Sequence, residues 1–417
     1  MTETNDQETI VAEPATALTT SGPGAATGPG AATDPGAATD PGDAAARDVV
    51  AYYHHPIKGS LLRDAVLPLA EGCTAQGLRV HVERHWLHGP HLRLRLRGPA
   101  GQVVEAAEQG AAELRRWVDR HPSVSDLGTG ELLTQAAEAG RVELIPPPYE
   151  PVVPDNTVCV ERVDLAPLRA LIGADSAVLR DDLLGLGLPA LRAGSAFLGE
   201  HGDAAPARVQ LAVAALAAHA AAHPGGLVGG HYSYVSHLED FFVHDDRDGR
   251  LRQTFEGNWQ AVRERVTAMV GRIAEGGADG WEQDWAAWSG AAWDLTRSRL
   301  DAGAHLSGDA DEYRRRAAAT GDLDTLVRWD RDRRTRYSDF HRLLTRSDPE
   351  GTMWTRPDYL VYRACTNALY RLFAVCDLLP RERYLAGYLV VQAVPVLTGH
   401  DWRTEMTAAV DAMERAS

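Results

Sequence analysis

The chain has 417 residues, 44% of them hydrophobic and 24% charged, the balance of a soluble globular protein with room for two or three packed layers or two domains. Acids outnumber bases 58 to 42 for a net charge of −16, which argues against non-specific binding of nucleic acid or an anionic membrane. Lys58 is the sole lysine. Any amine nucleophile, Schiff base or phosphate-loop lysine must therefore be Lys58, and no Gly-rich loop precedes it, so P-loop and pyridoxal chemistry are excluded.

Four cysteines, Cys73, Cys159, Cys365 and Cys376, fall in no CxxC pair. Neither a zinc ribbon nor a disulfide framework is expected, and a reducing compartment is. No run of 18 apolar residues and no charged-then-apolar leader pattern occurs, so the expectation is a soluble, cytoplasmic protein.

Residues 1–47 are of low complexity, with a six-residue Pro-Gly-Ala-Ala-Thr unit repeating at Pro23, Pro29, Pro35 and Pro41. With almost no large apolar side chain, this stretch is expected to be a disordered tail. Order is expected from Val49. The patterning then predicts a strand at Val49–His54, a helix at Ser60–Gln76, strands at Leu78–Trp86 and His91–Arg97, and a helix at Gln102–Arg120. Further strands are expected at Arg141–Ile145 and Thr157–Val163. This order is that of a ferredoxin-like α+β unit, read as one subdomain over residues 48–170. A mainly helical subdomain, 171–417, follows, with helices expected near 179–199, 205–222, 256–275, 281–302, 309–346 (broken), 356–377, 380–396 and 401–414. The fold class is α+β.

Several segments carry chemistry. In His91–Arg97, Leu92, Leu94 and Leu96 point inward while His91, Arg93, Arg95 and Arg97 share the other face. Such a row is either a wetted sheet face or a site for carboxylates, phosphate or peptide carbonyls. His85, His88 and His91 have a spacing compatible with zinc, but no carboxylate or cysteine completes the set, so no metal is expected. Gly229–Phe242 gathers hydroxyls, phenols and imidazoles able to exchange protons near neutral pH. The alternative is a strand or loop whose polar groups only satisfy one another. Tyr337 and His341 fall at i, i+4 on an expected helix. Tyr362–Tyr370 places polar residues inside an apolar helix, as core or as site groups.

Taken together, Arg84–Arg97, Pro154–Thr157, Ser233–Phe241, Ser338–His341, Tyr362–Tyr370 and Glu382–Leu385 resemble the C-terminal domain of lantibiotic dehydratases in its stand-alone, thiopeptide-type form. The resemblance spans roughly residues 48–400. It implies one of two activities. One branch eliminates glutamate from glutamylated Ser/Thr. The other, the thiopeptide pyridine synthases, joins two dehydroalanines of a leader-bearing peptide by a formal [4+2] cycloaddition, losing water and leader to leave a pyridine-centred macrocycle. Eliminating members carry His-x-His before the helix Asn, where this chain has Arg363 and Cys365, a departure that favours the cyclase.

The resemblance further implies a modified precursor peptide as partner, with other peptide-modifying enzymes nearby, no nucleic acid and no membrane. The cycloaddition needs positioned proton donors and acceptors but no metal, nucleotide or other cofactor. Proton handling is expected from Tyr234, Ser236, His237, Tyr337 and His341, and anion or peptide capture from His85, His91, Arg93 and Arg95. A glutamate-eliminating lyase, an aminoacyl-tRNA-dependent peptide ligase and a non-catalytic peptide-binding partner remain alternatives.

Overall fold

The computed structural model describes residues 44–321, 327 and 334–416. The tail reading lies outside these up to position 43. From Ala44 the chain is already strand.

Four strands, β1 (Ala44–Tyr52), β2 (Arg79–His85), β3 (His91–Pro99) and β4 (Thr157–Arg162), form one antiparallel sheet in the order β2-β3-β1-β4. This is the expected ferredoxin-like arrangement. β1 begins five residues before Val49 because it pairs along the whole of β3, from Ala44 opposite Pro99 to Tyr52 opposite His91. The alternation in β3 buries Leu92, Leu94 and Leu96 on one face with Val49, Ala51, Val80 and Val82, each leucine contributing roughly 2 kcal/mol. That face is covered by α1 (Leu67–Ala75, entered through a π turn at Leu62–Val66) and α2 (Ala100–Arg120). In α2, Val103, Ala107, Ala111, Leu114 and Val118 recur at helical spacing and are buried.

The strand expected at Arg141–Ile145 is instead the end of α3 (Thr129–Glu143). Val142 and Leu144 alternate only locally, whereas buried Leu132, Ala136, Ala139 and Gly140 set a helical period that runs into them. Leu144 stops the helix in the left-handed conformation, its N–H bonding the Gly140 carbonyl.

The remainder is helical: α4 (Ala166–Ile172), α5 (Ala174–Leu186), α6 (Leu188–Glu200), α7 (Ala205–Ala221), α8 (Gly226–Asp245), α9 (Arg250–Ala274), α10 (Glu282–Asp301), α11 (Ala310–Thr320), α12 (Asp339–Ser347), α13 (Pro357–Val375), α14 (Pro380–Thr398) and α15 (Trp402–Ala416). The helix expected at 179–199 is broken in two at Gly187, where a Cβ would lie 2.6 Å from Leu372. The one expected at 309–346 is represented by α11 and α12, and part of it falls outside the described residues. α7 is almost entirely apolar and alanine-rich, and it is buried among α8, α9, α10 and α14, as a helix hydrophobic all round must be. No helix among the described residues is long and apolar enough to cross a membrane.

The sheet is tied to the helical half through Asp377. This buried carboxylate pairs with Arg84 and accepts the Lys58 backbone N–H at 2.6 Å. The lone lysine is fully buried, its Nζ donating to the His55 carbonyl at 2.6 Å. Burial, aided by Arg84, holds its pKa well below the ordinary lysine value.

Candidate active site

The segment Gly229–Phe242 is neither strand nor loop but the body of α8. Gly230 lets the start of this helix lie against α7, since a Cβ there would come within 2.5 Å of the Ala220 backbone. The helical period then sorts the polar residues. Tyr234, Leu238 and Phe242 turn into the core, while Ser236, His237 and Phe241 stay half-buried.

Tyr234, expected among the proton-handling groups, is a core residue. It is 2% exposed, donates to the Leu216 carbonyl at 2.9 Å and accepts from the Tyr362 hydroxyl at 3.2 Å. Burial, reinforced by Tyr362, pushes its pKa well above the usual phenol value.

Ser236 and His341 do come together. Ser236 Oγ lies 3.1 Å from His341 Nε2, and Ser338 Oγ lies 2.7 Å from His341 Nδ1. Ser338 is also the N-cap of α12, accepting the His341 backbone N–H at 3.2 Å, the usual role of a helix-opening serine. For a neutral imidazole these contacts favour one tautomer. Ser338 is buried, and among the described residues its hydroxyl hydrogen has only Nδ1 to meet. The Ser338 O–H therefore donates to Nδ1, which leaves the proton of a neutral imidazole on Nε2, directed at Ser236 Oγ. Ser236 thus accepts from His341 and keeps its own hydrogen for an outside acceptor.

A second pair stands one residue along the same helix. His237 Nδ1 lies 3.1 Å from the Tyr370 hydroxyl of α13. The Arg383 guanidinium of α14 sits over the Tyr370 ring at 4.4 Å and over Tyr384 at 5.1 Å, and Tyr384 stacks on Phe241 at 4.0 Å. A guanidinium held between two rings is fixed in place by cation–π attraction.

Tyr337 does not share a helix face with His341, because α12 begins only at Asp339. Its ring lies 4.9 Å from Arg334, and it lines a surface groove with Arg342, Arg346 and Arg403.

The arginine row of β3 is neither simply wetted nor open. Arg95 is buried and binds Asp48 of β1 through Nε and Nη2, both at 2.8 Å. Arg97 meets Asp181 of α5 at 3.0 Å, and Arg180 binds Glu83 of β2. The carboxylates that satisfy the row belong to this chain, so Arg95 is an element of the sheet–helix interface and not a capture residue. Among the described residues, Arg93 pairs with Glu83 at 3.4 Å. His81, Glu83 and Asp181 bring possible metal-ligand atoms within 4.8 Å of one another, but Glu83 and Asp181 are already held by arginines. His85 and His91 stack at 5.6 Å, whereas His88 occupies the left-handed hairpin position with its Nδ1 at the Tyr149 carbonyl.

Two histidines give the protein an acid limit. Burial and Arg93 push His91 down to about 3, and burial and His223 push His219 down to about 3. Unfolded imidazoles titrate near 6.5, so below that pH the unfolded chain binds protons that the folded chain refuses. Stability from these groups is complete above pH 6.5 and falls by about 1.4 kcal/mol per pH unit for each histidine as the pH drops toward 3. Denaturant melts between pH 7 and 4 should show this slope, reduced by about one proton in His219→Gln. A His219→Gln profile parallel to wild type would refute the assignment.

No family model matches the chain, and no curated protein matches it in sequence. Solved structures do. One described as the pyridine synthase TbtD from thiomuracin biosynthesis superposes with a TM-score of 0.65 at 19% identity, over 85% of this chain and 99% of that one. The chain has the fold of a thiopeptide pyridine synthase. A second structure, TsrL, superposes with a TM-score of 0.54 at 16% identity, over 87% of this chain and 98% of that one. Against the pyridine synthase fold, the helical half carries both histidine–hydroxyl pairs. Of their members, sequence reasoning missed Ser338 and Tyr370, together with Arg383 and Tyr384 beside them. All four lie inside segments that carried the resemblance, but spacing along the chain gives no sign that Tyr370 meets His237 or that Ser338 backs His341.

Proposed function

We propose that this protein is a thiopeptide-maturation enzyme that joins two dehydroalanines of a modified, leader-bearing peptide by formal [4+2] cycloaddition. The observation that carries this reading is the pair of adjacent proton-handling units, Ser338–His341–Ser236 and His237–Tyr370, in a chain with the fold of a pyridine synthase. One dehydroalanine must react as the imidic-acid tautomer of its amide, which requires a proton delivered to the carbonyl oxygen and another removed from the nitrogen. Ser236 has an O–H to give to the carbonyl oxygen and takes back the proton that leaves the nitrogen, so one proton moves with no net change in the enzyme, while His341, hydrogen-bonded at 3.1 Å, steadies the Ser236 oxygen between the two transfers. His237 and Tyr370 supply the second exchanging site. Loss of water then needs a proton returned to the departing hydroxyl, which the same groups can deliver.

The positions at which eliminating relatives carry histidines argue against elimination. Arg363 donates to the Leu306 carbonyl at 2.9 Å, and Cys365 is buried against Thr296. Neither offers an imidazole. The test is a single-turnover mass-spectrometric assay on a leader-bearing peptide with two dehydroalanines. A product lighter by one water together with the leader peptide is expected. Unchanged substrate, or glutamate release from a glutamylated peptide, would displace the cyclase reading.

A further inference from the structure

We propose that Arg383 is a positioning residue of the His237–Tyr370 pair: its guanidinium, seated on the face of the Tyr370 ring, steadies negative charge on the Tyr370 oxygen, so that the tyrosine and not the imidazole is the acid of the pair. Its part in the rate rests on the cycloaddition reading above; the charge on the ring does not. The groups involved touch one another in a circuit. His237 Nδ1 lies 3.1 Å from the Tyr370 hydroxyl. The Arg383 guanidinium lies 4.4 Å from the centre of the Tyr370 ring and 5.1 Å from that of Tyr384, and Tyr384 stacks on Phe241 at 4.0 Å. Phe241 follows His237 by one turn in α8 and so shares its face, which closes the circuit.

Arg383 stands where neither burial nor helix geometry favours a cation. It is 9% exposed, and it falls in the first turn of α14, at the positive end of the helix dipole. The carboxylate of that turn, Glu382, is bound through both oxygens by Arg208, at 2.8 and 2.6 Å. Phenolate charge spreads over its ring, so a guanidinium on the ring face and the α14 dipole act together on it. An opposite charge within about 4–6 Å commonly moves an ionisation by about 1–3 pH units. One hydrogen bond further on, the same positive field opposes an imidazolium at His237. From α8, His237 and Tyr234 face Tyr370; from its own helix, Tyr362; from α14, Arg383 with Tyr384 behind it. Burial raises the pKa of Tyr234 and of Tyr362 and keeps both phenols neutral. Arg371, next in the chain, turns to Glu143 at 3.4 Å.

As water is lost, one proton passes to the departing hydroxyl through His237, and Nδ1 takes the Tyr370 proton in its place. The imidazole stays neutral and the negative charge rests on the Tyr370 oxygen beneath Arg383. The proton that the intermediate gives up as its new double bond forms reverses both transfers.

The first test needs no substrate, so its failure is distinct from a failure of the cycloaddition reading. In protein labelled with tyrosine carrying carbon-13 at Cζ, the Tyr370 resonance, identified by its absence from Tyr370→Phe, is followed by NMR through an alkaline titration. Its midpoint should lie at least about one pH unit higher in Arg383→Gln than in wild type, about a tenfold change in ionisation, and Arg383→Lys should fall between the two. Arg383→Met keeps the length of the side chain and takes the place of Arg383→Gln if that variant does not fold. The second test is single turnover on the bis-dehydroalanine peptide. A neutral variant should slow the chemical step by about tenfold or more with peptide affinity unchanged, and Arg383→Lys should regain part of the rate. Equal midpoints in wild type and a folded neutral variant would overturn the proposal whatever the turnover. A shifted midpoint with a wild-type rate would overturn it as well, and so would lost peptide affinity at an unchanged rate, which would assign Arg383 to binding.

Discussion

Ser236→Ala should slow conversion of a bis-dehydroalanine peptide by about 10²–10⁴ in single turnover while leaving peptide affinity nearly unchanged, the usual signature of a lost positioned acid or base. The serine hydroxyl is small and half-buried, and its one protein partner among the described residues is His341 at 3.1 Å, so its removal should cost little packing. His341→Asn should lose a similar factor, because it takes away the imidazole that positions the Ser236 hydroxyl and steadies its oxygen during proton transfer. The double variant should then be little slower than either single one, since residues acting as one unit are not additive. Tyr234→Phe is the contrasting case. It strands the buried Tyr362 hydroxyl and should cost about 1–3 kcal/mol of stability, yet leave the single-turnover rate close to wild type. If Ser236→Ala turned over at the wild-type rate, the relay would drop out of the mechanism, leaving His237 and Tyr370 to carry it.

The sheet was readable because a period of two with leucine on every inward position of β3 has few other solutions. The long C-terminal helices were readable from their 3.6 period. α8 was not, since Gly229, Gly230 and a run of aromatic and β-branched residues have weak helix propensity. Tertiary contact decides that segment: Gly230 fits against Ala220, and Tyr234 reaches the Leu216 carbonyl. Residue types in the candidate site were likewise legible, but their partners were not. Ser236 and His341 are 105 positions apart, and His237 and Tyr370 are 133 apart. Local spacing carries no information about which distant helix faces which. The arginine row shows the same limit. Its alternation set the guanidiniums on one face, but nothing local showed that Asp48, Glu83 and Asp181 would arrive opposite them.

That placement makes Arg95→Ala a folding variant before it is a binding one. Burial works against the Arg95 charge, but its hydrogen bonds to Asp48 and the field of Glu83, Asp48 and Asp181 outweigh it and hold its pKa above the ordinary arginine value. Removing the guanidinium leaves Asp48 buried with both oxygens stripped of their 2.8 Å partners. Breaking a buried pair from one side commonly costs about 3–5 kcal/mol, a large share of the roughly 5–15 kcal/mol that holds a typical protein folded. Chemical denaturation should show that loss directly. Asp48→Leu combined with Arg95→Met should recover much of it, because a hydrophobic pair of similar volume avoids leaving a lone buried charge. Arg93→Gln, by contrast, gives up one partly exposed 3.4 Å contact and should cost no more than about 1 kcal/mol. If Arg95→Ala instead unfolded at the wild-type denaturant midpoint and lost peptide affinity, Arg95 would return to the binding surface. The pairing with Asp48 would then have to be exchangeable for a carboxylate of the peptide.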